Sequence, residues 1–192
     1  NVADPSVSKF GDTYYLYGTT DLDYGLERAG TPVVWKSKDF VNWSFEGSHI
    51  RGFDWAKGYE YVNDKGEKKK GYFRYWAPGR VIEHDGKFYL YVTFVKPGDK
   101  MGTYVLVADR PEGPFRFTEG KGLFVSGEEV DSPAIIDDID GEPFIDDDGT
   151  GYIFWRRRNA ARLSADRLHL DGEPVTLKTA RQGYSEGLSL IH

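Results

Sequence analysis

Three acidic residues, Asp4, Asp140 and Glu186, each precede a proline or a glycine at the opening of a strand-like segment. Three carboxyl groups brought to one point could cut a glycosidic bond by single displacement. One carboxylate activates a water and one carboxylic acid protonates the leaving oxygen, the two standing about 6.5–9.5 Å apart so that the water fits between them. A third carboxylate nearby keeps the acid protonated by like-charge repulsion. Residues so far apart in sequence need a scaffold that repeats.

The repeat is visible as a turn followed by an aromatic strand: FGDTYYLYGTT from Phe10, EHDGKFYLYVTF from Glu83 and IDDDGTGYIFW from Ile145. With Tyr15, Tyr89 and Tyr152 in register, the following pairs are Leu16-Tyr17, Leu90-Tyr91 and Ile153-Phe154. The turns before them, Gly11-Asp12, Asp85-Gly86 and Asp148-Gly149, supply residues that tolerate the positive φ of a tight hairpin. Asp4, Ala77 and Asp140 then fall at nearly the same distance before the aligned tyrosines, each near a proline (Pro5, Pro78, Pro143). More polar outer strands follow from Val33, Tyr104 and Ala160. The spacing of the units suits four-stranded blades with loop insertions, and inner strands of successive blades all face a central axis. Asp4, Asp140 and Glu186 fit that scheme.

Composition points to an all-β chain: 16% of residues are aromatic, glycine is frequent, and no long apolar segment has helical period. No apolar run approaches the roughly 20 residues that span a bilayer. The net charge of −6 argues against a nucleic-acid or anionic-membrane partner, whose phosphates call for a basic face. The absence of cysteine rules out disulfides and thiolate metal sites and is compatible with any compartment. Lys68 to Lys70 are expected in a solvated loop between the first two units. Arg156 to Arg158, directly after the Trp155 strand end, are better placed to face a ligand. Asp146, Asp147 and Asp148 have the look of a metal cluster, but Asp-Asp-Gly before a strand reads as a hairpin turn. None of the four histidines forms a spaced zinc pair.

These motifs together resemble family 43 of the glycoside hydrolases, five-bladed β-propellers that act on arabinose-, xylose- and galactose-containing polymers. The resemblance spans essentially the whole chain. ADPSV from Ala3 is similar to the opening motif whose Asp is the general base, which assigns that role to Asp4. YWAPGRV from Tyr75 resembles the second-blade motif that shapes the sugar pocket, through Trp76 and Ala77. IDGEPFIDDDG from Ile139 resembles Asp-Pro-x-x-Phe before an Asp-rich turn, which makes Asp140 the modulator of the acid; Gly141 stands where proline is usual. YSEGLSLIH from Tyr184 resembles (Ser/Thr)-Glu-Gly-Pro, which makes Glu186 the general acid, with Ser185 beside the substrate and Leu188 in place of proline. Arg156 is the remaining expected substrate contact. WKSKDFVNW from Trp35 and LSADRLHLDGEPV from Leu163 are similar to outer-strand segments of the family.

The resemblance implies an all-β, five-bladed β-propeller of which this chain carries about three blades and the start of a fourth. Blade 1 covers about 1–50, an insertion about 51–74, blade 2 about 75–125, blade 3 about 130–180 and the start of blade 4 about 184–192, all within one incomplete catalytic domain. An open arc would expose its flanking sheet faces, so additional polypeptide is expected to complete the functional molecule. No cofactor is required by the chemistry; a structural calcium near the axis, held partly by a later-blade histidine, is a feature of some relatives. The expected partner is a carbohydrate, and an extracellular or periplasmic location is favoured over the cytoplasm. Two alternatives stand beside the inverting enzyme. One is a propeller glycosidase or phosphorylase of another family; of these the fructan hydrolases carry Asn-Asp-Pro-Asn, Arg-Asp-Pro and Glu-Cys, where this chain has Ala-Asp-Pro-Ser, no Arg-Asp-Pro and no cysteine. The other is a non-catalytic glycan-binding propeller or fragment. The Tyr- and Trp-containing insertion from Arg51 to Arg74 is the expected loop that narrows the cleft and favours exo action.

Overall fold

The computed structural model describes residues 2–20, 30–118 and 132–178. The first sheet is a four-stranded antiparallel meander of β1 (Ala3–Phe10), β2 (Thr13–Thr19), β3 (Val33–Ser37) and β4 (Ser44–Ser48), in that order. A separate hairpin follows, β5 (Gly58–Val62) paired with β6 (Lys68–Tyr72). The second sheet holds β7 (Arg74–Trp76), β8 (Ile82–His84), β9 (Lys87–Lys96) and β10 (Lys100–Ala108). Here β7 and β8 pair with opposite ends of β9, so together they form one interrupted inner strand. Its outermost member is reduced to a bridge between Val107 and Arg116. The third sheet is β11 (Glu142–Ile145), β12 (Gly151–Trp155), β13 (Asn159–Arg162) and β14 (Val175–Thr176), again in chain order.

The aligned hairpin turns form as their residues predict. Gly11, Asp85, Gly86 and Gly149 all take positive φ. Asp146, Asp147 and Asp148 build the third turn: the Asp146 carbonyl accepts the Gly149 N–H at 2.9 Å, and the Asp148 carboxylate accepts the Thr150 N–H at 2.8 Å. Lys68 to Lys70 correct the expectation of a loop. They lie on β6, exposed, where Glu60 and Tyr61 of β5 pair with Lys70 and Lys69.

The three sheets stack face to face through two cores, and β9 serves both. Its residues alternate by the two-residue period of a strand: Leu90, Val92 and Phe94 face the first sheet, while Tyr89 and Tyr91 face the third. Tyr15, Tyr17, Val34, Trp55 and Tyr75 complete the first core, and Val105, Ile153, Trp155 and Leu163 the second. Equivalent tyrosines stitch each seam. The Tyr17 hydroxyl donates to the Pro111 carbonyl at 2.6 Å, and the Tyr91 hydroxyl to the Arg167 carbonyl at 2.8 Å. The outward face of the first sheet is less well covered, with Phe40, Val41 and Phe45 exposed. Among the described residues no helix is long and apolar enough to cross a membrane.

Candidate active site

One backbone device recurs at the same end of all three sheets. In the first, Ala3 pairs with Thr19 and Ser6 with Tyr17, so Asp4 and Pro5 oppose the single residue Gly18. In the second, Trp76 pairs with Thr93 and the Gly79 N–H donates to the Tyr91 carbonyl at 2.8 Å, so Ala77 and Pro78 oppose Val92. In the third, the Arg156 N–H reaches the Ile139 carbonyl and Glu142 pairs with Phe154, so Asp140 and Gly141 oppose Trp155. Each is a bulge of two residues against one, and each has its first residue in the left-handed region: φ is 45° at Asp4, 39° at Ala77 and 64° at Asp140. That conformation costs a non-glycine residue about 1–2 kcal/mol, and Asp bears it better than Ala because its side chain can bond locally. A bulge of this kind re-aims the side chain at its apex, here at the open ends of the inner strands.

Two threonines fasten these bulges across the seams. The Ala77 N–H donates to Thr19 Oγ1 at 2.7 Å, and the Asp140 N–H donates to Thr93 Oγ1 at 3.1 Å. Thr19 also donates to Asp4 Oδ2 at 2.7 Å. Asp4, Ala77 and Asp140 therefore lie along one edge of three adjacent sheets, joined through buried hydroxyls. Both threonines follow an aligned tyrosine by four positions, so carrying the repeat two residues further along the sequence would have found them.

The third sheet departs from the pattern, because Arg156 occupies the position of Thr19 and Thr93. Its Nη2 lies 2.7 Å from Asp138 Oδ1, an ion pair of two half-buried side chains beside the Asp140 bulge. Asp138 also accepts the Ile139 N–H at 2.9 Å and, through its carbonyl, the Thr103 hydroxyl at 2.9 Å. Arg156 is thus held beside the Asp140 bulge, while Arg157 is exposed. Trp76 is half-buried, with the Arg74 guanidinium 4.8 Å from its ring centroid in a cation–π contact. Arg74 in turn pairs with Asp99 in the β9–β10 turn. The β5–β6 hairpin packs on that same turn, Tyr61 lying against Gly98, which puts the insertion on the rim at the site's end of the second sheet. Ser185 and Glu186 lie outside the described residues.

Gly141 has a physical reason to replace proline. A Cβ there would stand 2.5 Å from Thr103 Cγ2 and 3.2 Å from Ile153 Cδ1, and a Cβ at Gly79 would collide with the Gly141 carbonyl. Gly79 lies against the inner strand of the third sheet and Gly141 against Thr103 of β10, so neither position has room for a side chain. Glu142, next in line, went unnoticed in the sequence. It is 8% exposed, its Oε2 accepts the Arg80 N–H at 2.9 Å, and its Oε1 lies 3.7 Å from Arg80 Nε. Burial raises its carboxyl above the ordinary glutamate value, opposed by the Arg80 N–H and charge. Among the described residues no group of three or more His, Cys, Asp or Glu side chains could hold a metal ion.

The profile of the family described as "Glycosyl hydrolases family 43" matches residues 1–191. The chain belongs to that family. Its three sheets are three blades of the family's β-propeller. It is 31% identical over 167 residues to an arabinoxylan arabinofuranohydrolase of Bacillus subtilis (strain 168), covering 79% of this chain and 30% of that protein. It is 29% identical over 173 residues to an extracellular exo-alpha-(1->5)-L-arabinofuranosidase of Cellvibrio japonicus (strain Ueda107), covering 86% of this chain and 44% of that protein. A solved structure described as a glycoside hydrolase superposes with a TM-score of 0.72 at 37% identity, over 96% of this chain and 38% of that one. The family 43 chain described here thus spans less than half the length of these relatives.

Proposed function

We propose that this chain supplies the first three blades of a glycosidase that removes arabinose or xylose units from plant polysaccharides or oligosaccharides with inversion. The repeated left-handed bulge carries the reading: it turns the carboxylates of blades 1 and 3 to the open end of the propeller, and Arg156 flanks them. In this reading Asp4 takes a proton from water as the water oxygen bonds to the anomeric carbon. Glu186 gives its proton to the glycosidic oxygen as the C–O bond breaks, and solvent later resets both groups. Asp140 holds Glu186 in its acid form by like-charge repulsion and orients the sugar. Trp76, Ala77, Arg156 and Ser185 shape the subsite, and the β5–β6 hairpin walls it toward exo action. Further polypeptide completes the ring and covers the exposed face of blade 1. Action outside the cytoplasm fits the "extracellular" in one relative's name.

The test is made on the complete polypeptide that contains these residues. Asp4→Asn should lower kcat by about 10²–10⁴-fold, the range for losing a general acid or base, while the melting temperature and glycan binding hold. NMR of the first-formed sugar should show the inverted anomer. Retention of configuration, or turnover that survives Asp4→Asn, would overturn the reading.

A further inference from the structure

We infer that Thr19 is the positioning residue of the Asp4 carboxylate, and that it ties that carboxylate to the backbone of the neighbouring blade. The inference rests on the reading of Asp4 as the base. A threonine hydroxyl has one proton to give and two lone pairs. At Thr19 the Ala77 N–H, 2.7 Å away, fills a lone pair and can only donate. The single hydroxyl proton is therefore free to go to Asp4 Oδ2, also 2.7 Å away. That leaves Oδ1, which accepts no hydrogen bond from the described residues, as the oxygen more open to a proton from water.

Among the described residues nothing else restrains this side chain so well. Asp4 is solvent-exposed, and among the described residues Thr19 alone hydrogen-bonds its carboxylate. Thr19 is 1% exposed and β-branched, so its rotamer is fixed by packing and the direction of its hydroxyl is set. Its main-chain partner is Ala3, the residue just before the bulge, so the same pair of strands holds both the carboxylate's backbone and its restraint. Thr93 shows what this position does without a carboxylate. It fastens the next bulge by its N–H, but the apex of its own blade is Ala77, which offers no acceptor. The donation from Thr19 to Asp4 is thus an addition to the shared seam device.

In the complete polypeptide, Thr19→Val keeps the shape and removes the hydroxyl. It should lower kcat about 10–100-fold with KM changed by less than about threefold, since misplacing a reacting group by about 1 Å costs on that order. Thr19→Ser should return kcat to within about threefold of the parent. On an Asp4→Asn background, Thr19→Val should cost nothing further in kcat, because residues that act as one unit are not additive. An equal kcat loss on both backgrounds would show that Thr19 only holds the blades together and would overturn the inference, as would an unchanged kcat in Thr19→Val. Should the valine variant not fold, Thr19→Cys replaces it, with a kcat loss of about tenfold expected from the weaker donor; parental kcat there would overturn the inference equally. If Asp4→Asn itself retained turnover, the reading of the base would fall, whatever Thr19 does.

Discussion

The seam between blades 1 and 2 is aromatic and buries an imidazole; the seam between blades 2 and 3 is mainly aliphatic and buries a carboxylate. In the first, Phe94 has Trp55 stacked at 6.1 Å and Tyr75, Tyr104 and Phe117 around it, and His49 Nε2 lies 3.0 Å from the Tyr75 hydroxyl. In the second, Ile82, Val105, Ile136, Ile153 and Leu163 surround two tyrosines and Trp155, and Glu142 bonds Arg80. The backbone plan is the same in both: an inner-strand bulge, a threonine clasp and a tyrosine hydroxyl reaching across. Seam geometry is thus fixed by the repeat, while the filling is free to vary. What each seam buries then decides how it responds to truncation and to pH.

The largest effect expected from that difference is on packing. Phe94 is fully buried, and Phe94→Ala should cost about 3–5 kcal/mol, against about 2–5 kcal/mol for Ile153→Ala in the other seam. Chemical denaturation of the complete polypeptide measures both. A loss at Phe94 below that at Ile153 would mean that the aromatic seam relaxes around its cavity, and the contrast between the seams would disappear.

Much of this architecture is legible in the sequence because the hairpin turns and the aromatic strands after them carry local signals. The pairing of Tyr15 with Tyr89 and Tyr152 puts Asp4, Ala77 and Asp140 on one structural position, and the three bulges confirm that equivalence. The bulges themselves have no local signature: Asp-Pro, Ala-Pro and Asp-Gly adopt the same left-handed kink because two strands of different register must rejoin. Glu142 was invisible for a related reason. Its burial depends on Gly79 and Gly141 letting two blades approach, a long-range fact that no window of residues contains. Lys68 to Lys70 read as loop because three lysines carry no strand preference, and they are held in β6 by pairing with β5.

Acid should separate the seams next. Burial lowers the His49 pKa to about 3, so the unfolded chain, with a value near 6.5, binds the proton first as pH falls. Stability from this group is present above 6.5 and is lost on acidification toward 3, at up to about 1.4 kcal/mol per pH unit. Glu142 acts in the opposite sense. Its raised value means that the folded chain holds a proton longer than the unfolded one, so its contribution is present below about 4.5 and is lost as pH rises. Melting temperatures across pH 3–8 should therefore lose part of their acid slope in His49→Gln and part of their alkaline decline in Glu142→Gln. Glutamine keeps an acceptor for the Arg80 N–H, so the second change isolates the charge. Identical pH profiles for parent and variants would remove the electrostatic contrast between the seams.

The smallest effect tests the bulge, one of the features that the seams share. Ala77 bears the same bulge as Asp4 and Asp140 without a polar side chain to ease it, at φ 39°. A left-handed alanine costs about 1–2 kcal/mol. Glycine relieves that cost but gives back about 0.5–1 kcal/mol through the greater freedom of the unfolded chain. Ala77→Gly should therefore stabilise by about 0–1.5 kcal/mol, with a rise in melting temperature of a few degrees at most. That outcome would mean that the Thr19 clasp imposes the kink on blade 2 against the preference of its residue. A loss of more than about 1 kcal/mol would mean instead that the Ala77 methyl packs as part of the seam, and that blade 2 carries a filler where its neighbours carry carboxylates.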